Sequence, residues 1–100
     1  MDVDVISRKL ALEGCMPVIK KAKELLRLCS IRFEGGLGVA ESCKAVVCLE
    51  LACSELQVPF DRQKAIRLSG SSEKPYTKAL QTVQNALGIR YLTVHINLHK

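Results

Sequence analysis

Lys74, Lys78, Gln81 and Asn85 follow one another at steps of four, three and four residues. On a helix turning by about 100° per residue, they share one stripe. Two cations and two amides in a row suit a DNA groove. Long basic side chains neutralise phosphates, while Gln and Asn offer paired donor and acceptor groups to a base edge. An ordinary solvated helix face carries the same residue types, so the row gains meaning from what precedes it. Residues Ala65 to Leu80 read as a helix, a tight turn at Gly70 and a second helix, the layout of a helix-turn-helix. Ile66 lies four residues before the glycine, and Ser71 or Ser72 is placed to cap the incoming helix. Tyr76, Leu80, Val83 and Leu87 repeat at helical spacing opposite the polar row. Arg67 joins Lys74 and Lys78 as a phosphate contact in this reading, and Gln81 or Asn85 approaches bases. Sequence preference is then weak, because phosphate contacts position a protein without specifying a base.

Other chemistries find less support. Cys43, Cys48 and Cys53 recur every five residues, so successive thiols stand roughly 140° apart on a helix and do not converge on one metal ion. His95 and His99 have the i, i+4 spacing of a metal pair if that segment is helical, but no further ligand cluster lies near them in sequence. A catalytic thiol needs a positioned base and an oxyanion site, and neither is assignable. Gly35-Gly36-Leu37-Gly38 lacks the trailing glycine of a dinucleotide fingerprint and the Gly-Lys-Ser/Thr ending of a phosphate loop, so it reads as a connector. The expectation is a protein with no metal, no cofactor, no small-molecule substrate and no enzymatic activity.

Composition narrows the partner. One hundred residues, 48% of them hydrophobic, make one small globular domain. With 4% aromatic residues and no Trp, a base-stacking platform of the kind used by single-strand binders has little to work with. A formal charge of +5 favours an anionic partner, although 10 acidic residues are interspersed with the 15 basic ones. No apolar run approaches the roughly 18 residues of a membrane span, and Met1-Asp2-Val3-Asp4 lacks the basic start of a secretory signal. A soluble, intracellular protein with no membrane contact is expected. Five cysteines, an odd number, spread through predicted helices, read as reduced, buried thiols of a cytosolic or nuclear protein.

Five helices must position these residues. Val3, Ile6 and Leu10 define the first, ended by Glu13-Gly14. The second opens at Pro17 and runs to about Cys29, with Val18, Ala22, Leu25, Leu26 and Cys29 inward and Lys20, Lys23, Glu24 and Arg27 outward. Ser30 to Ala40 reads as a loop. The third, from about Glu41 to Leu56, is apolar over most of its circumference and belongs in the middle of the fold. Pro59 marks a break, Asp61 caps a short fourth helix and Gly70 closes it. The fifth runs from about Glu73 to Leu87, and Gly88 stops it. Beyond, Leu92, Val94, Ile96 and Leu98 alternate with polar residues, which predicts an extended or poorly ordered tail or, alternatively, a continuing helix.

The segments Glu41 to Ala52 and Phe60 to Gly70, with Tyr76 following and Arg27-Leu28-Cys29 ahead, resemble the amino-terminal part of subunit 6 of the eukaryotic origin recognition complex. The resemblance runs from about residue 1 to 89. It implies an all-α, five-helix cyclin-like bundle, similar to the general transcription factor TFIIB, around a central buried helix with a helix-turn-helix-like corner. This chain would supply the first repeat over 1–89, with an atypical tail at 90–100 and a truncation relative to the family. It also implies binding of double-stranded DNA at replication origins, helicase loading, other origin recognition complex subunits as partners, a nuclear location and no enzymatic activity. In the family, the Ser of the Leu-Ser-Gly turn and a basic residue beyond it are associated with DNA contact. The Ser falls on Ser69; the basic position falls on Glu73, with Lys74 beside it as the substitute. The alternative reading is a non-catalytic protein-interaction module, or a truncated form that docks on replication partners.

Overall fold

The computed structural model describes residues 3–32 and 41–88, with the side chains of Glu41 and Ser42 left aside. Among these residues there are five helices and no strand: α1 (Val3–Lys9), α2 (Met16–Arg32), α3 (Glu41–Leu56), α4 (Arg62–Ser69) and α5 (Glu73–Ala86). The glycine-rich connector and the alternating tail both lie outside the described residues, as do His95 and His99.

Helix α1 ends earlier than Glu13-Gly14. Ala11 takes the left-handed conformation at φ 59°, and the Leu12 amide donates back to the Ser7 carbonyl at 2.7 Å. This six-to-one closure is a Schellman turn, usually built on glycine. It turns Leu12, 5% exposed, into the core, and that burial offsets the strained backbone at Ala11. Helix α2 starts one residue before Pro17 and continues to Arg32, so Ser30 to Arg32 are helical rather than loop. Its last residue has a partner that its own sequence does not announce. Arg32 Nη1 donates to the Ala86 carbonyl at 3.1 Å, joining the C-terminal ends of α2 and α5. A guanidinium at a helix C-terminus satisfies an orphan carbonyl and opposes the helix dipole.

Helix α3 is the centre. Every described side chain from Cys43 to Cys53 is buried, and α1, α2, α4 and α5 all pack on it. Small Ala and Cys side chains let the surrounding helices come close. The inward row of α2 agrees with its sequence pattern, with Val18, Ala22, Leu25 and Cys29 buried and Leu26 half-buried. Ile19 joins them, widening the stripe. The cysteines are free thiols; Cys29, Cys43, Cys48 and Cys53 are buried and Cys15 is half-buried. Burial pushes the Cys53 thiol up to about 11, so it stays protonated and behaves as a small hydrophobe.

Candidate nucleic-acid interface

The corner between α4 and α5 is built from short-range chemistry. Asp61 caps α4, its carboxylate accepting from the Lys64 amide at 3.1 Å. Gly70 ends α4 at φ 76°, a left-handed conformation that glycine adopts without the Cβ penalty, and its amide donates to the Arg67 carbonyl at 3.3 Å. Ser69, 1% exposed, fills the inside of the turn. Its hydroxyl donates to the Ile66 carbonyl at 2.6 Å and accepts from the Ser71 amide at 3.2 Å. Ser72 occupies the N-cap position of α5 with extended backbone, yet its side chain makes no capping hydrogen bond. The cap is therefore backbone geometry alone, with Glu73 in the first turn complementing the helix dipole.

A buried carboxylate fixes the angle of this corner. Glu50, in the middle of α3 and 5% exposed, accepts from the Tyr76 hydroxyl of α5 at 2.6 Å through one oxygen. Its other oxygen accepts from Arg62 of α4 through both Nε, at 3.0 Å, and Nη2. One side chain thus ties the first turn of α4 and the first turn of α5 to the central helix. Desolvation, followed by the nearby Glu50 charge, raises the pKa of the wholly buried Tyr76 phenol far above its ordinary range. The hydrogen bond to Glu50 raises that of Arg62, so both groups remain donors at any physiological pH. Near the start of α3, burial raises the pKa of the Cys43 thiol, and the neighbouring Ser71 hydroxyl acts in the opposite sense without cancelling it.

The outward side of α5 is what its spacing predicts. Lys74, Lys78, Gln81 and Asn85 are all exposed, while Tyr76, Ala79, Leu80 and Val83 are buried and Leu87 is half-buried. Arg67 is exposed in the last turn of α4, so it and Lys74 flank the Gly70 turn. Ser69 stands apart from these five. It lies under the turn, not on the exposed row. The Glu50 hub is absent from the sequence reading, although the signal is present: Glu50 is the lone acid in the apolar run Ala45 to Cys53, and a charge in such a run must be partnered.

Among the described residues, no group of three or more His, Cys, Asp or Glu side chains is arranged to hold a metal ion. No described helix is long and apolar enough to cross a membrane.

Comparison with known proteins points to one family. The family model described as origin recognition complex subunit 6 matches residues 3–91. The rice protein "Origin of replication complex subunit 6" (Oryza sativa subsp. japonica) is 48% identical over 91 residues, covering 90% of this chain and 31% of the rice protein. The Arabidopsis thaliana protein of the same name is also 48% identical over 91 residues, 32% of its length. The Homo sapiens "Origin recognition complex subunit 6" is 36% identical over 73 residues, 72% of this chain and 29% of the human protein. The chain thus spans about a third of the length of these relatives. No solved structure matches it.

Proposed function

The chain belongs to the origin recognition complex subunit 6 family, and from this we propose that its domain binds double-stranded DNA through the outer face of α5. In this reading it acts in the nucleus with other subunits of the origin recognition complex, contributing to origin binding and to helicase loading. The single observation that carries the DNA assignment is the exposed row Lys74, Lys78, Gln81 and Asn85, set directly opposite the buried row of the same helix. The helix presents charge and amides to a groove while its other side is fixed in the core. Arg67 and Lys74 meet phosphates on either side of the turn, Lys78 extends the track, and Gln81 and Asn85 stand where the helix would face base edges. Ser69 serves by holding the turn from inside, since its hydroxyl is already engaged.

Five helices with four arranged around α3 support a cyclin-like, TFIIB-like first repeat. The role needs no catalytic residue, cofactor or small-molecule substrate; positioning and charge neutralisation suffice.

Fluorescence anisotropy of labelled duplex DNA across a salt series tests the proposal. The parent chain is expected to lose affinity linearly in log salt, and K74E/K78E is expected to bind more weakly with a slope shallower by about 2. Unchanged affinity in a variant with parental circular dichroism would remove α5 from the interface.

A further inference from the structure

Four large apolar side chains among the described residues stand open to solvent: Met16 at 58%, Leu28 at 38%, Ile31 at 64% and Leu56 at 40%. Three of them belong to α2. The fourth, Leu56 at the end of α3, lines the same hollow as Met16, a cavity of about 470 Å³ completed by Pro17, Lys20, Lys21 and Glu24.

The outer side of α2, opposite its buried row, carries Met16, Lys20, Lys23, Arg27 and Ile31, all exposed, at steps of four, three, four and four. At about 1.5 Å per residue this stripe is about 22 Å long. Its ends are apolar and its middle is cationic. Lys20 and Arg27 make no ion pair with any described residue. Lys23 meets Asp4 at 3.0 Å, but both side chains are more than half exposed, so that pair is weak. Lys21 is different: it bridges Glu55 of α3 at 3.1 Å and Glu24 at 3.5 Å. That link spans the start of α2 and the end of α3 beside the hollow that Met16 and Leu56 line.

We infer that the outer face of α2 is a docking surface for an acidic amphipathic helix of a protein partner. Apolar side chains of the partner bury Met16 with Leu56 at one end and Leu28 with Ile31 at the other. Its carboxylates face Lys20, Lys23 and Arg27. Charge complementarity sets the sign of the occupant, and the apolar ends set its class. Duplex DNA would answer the cations but leave Met16 and Ile31 uncovered, whereas the α5 row carries amides where α2 carries apolar groups. The inference is independent of the DNA reading, because α2 and α5 present separate outer faces while both pack on α3.

The test is selection of peptides from a random helical library on the full chain, followed by anisotropy of the best labelled peptide. Enriched peptides are expected to carry Asp and Glu between apolar ends. Binding is expected to fall by about tenfold or more in K20E/R27E and in M16S/I31S, both folded by circular dichroism, and to be unchanged in K74E/K78E. Four outcomes overturn the inference: no enrichment of acidic sequences; binding indifferent to both α2 pairs; sedimentation showing that the parent self-associates through this face; or a gain of peptide binding on deleting residues 89–100, which would make the chain's own tail the occupant. Loss of duplex DNA affinity in K20E/R27E equal to that in K74E/K78E would make the face a nucleic-acid contact instead and sink the proposal as well.

Discussion

Glu50 is an acid with apolar neighbours on both sides along the helix, and its cost of burial is met by three donors from two other helices. The partners are unequal. Arg62 keeps 43% of its side chain in solvent, so it can be rehydrated if the carboxylate is lost, while Tyr76 has no access to water at all. Removing the phenol hydroxyl takes away a hydrogen bond to a buried charge. Tyr76→Phe is expected to lower stability by about 1 to 3 kcal/mol in urea unfolding, without change in the unfolding slope. A variant as stable as the parent would show that the carboxylate is held by Arg62 alone. The tie was only half legible. An acid within an apolar run signals a partner, but the partners lie 12 and 26 residues further on, and no local pattern names them.

Among the elements, the turns separate what pattern reveals from what packing decides. Gly70 does what its position predicts. A Cβ built there meets nothing within 4 Å, so Gly70→Ala carries the left-handed strain alone, about 1 to 2 kcal/mol of destabilisation. Ala11 presents the converse case. It holds φ 59° because Leu12 must reach the core, and the glycine at position 14 drew the predicted helix end too far along the chain. Ala11→Gly is therefore expected to raise the melting temperature, by up to about 1 kcal/mol in free energy, although glycine elsewhere in a chain destabilises. The contrast between the two substitutions is a direct measure of where the strain sits. Helices α4 and α5 were readable because Asp61, Gly70 and Gly88 coincide with their hydrophobic limits, and α3 because it is apolar over most of its circumference. The end of α2 was not, since Arg32 is held by a carbonyl 54 residues away.

For the molecule as a whole, the titration of its core follows from thiols and a phenol buried on and around α3. Cys53 is held at about 11 against an ordinary 9.0, Cys48 is raised by the hydrogen bond to Cys29 and by burial, and Tyr76 is raised above its ordinary 10.0. In each case the folded state keeps a proton that the unfolded chain releases. Stability is then full below about pH 9, and falls as pH climbs from 9 through 11 and beyond, because the unfolded chain binds fewer protons in that window. Chemical denaturation at pH 7, 9 and 10.5 under reducing conditions checks the sign. Equal stability at all three would mean that these groups are not sequestered together. The exposed face of α5 was legible at this scale because it needs only helical periodicity and an apolar counterpart. The angle at which that face is offered was not.

That angle has a kinetic meaning. A corner bound to its scaffold through Glu50, with the turn pinned from within by Ser69, has already surrendered its conformational entropy during folding. It has little left to lose on contact. In the DNA interface proposed for α5, encounter would then be a docking of a finished shape, governed by approach, orientation and the release of counterions, with no ordering step to slow it.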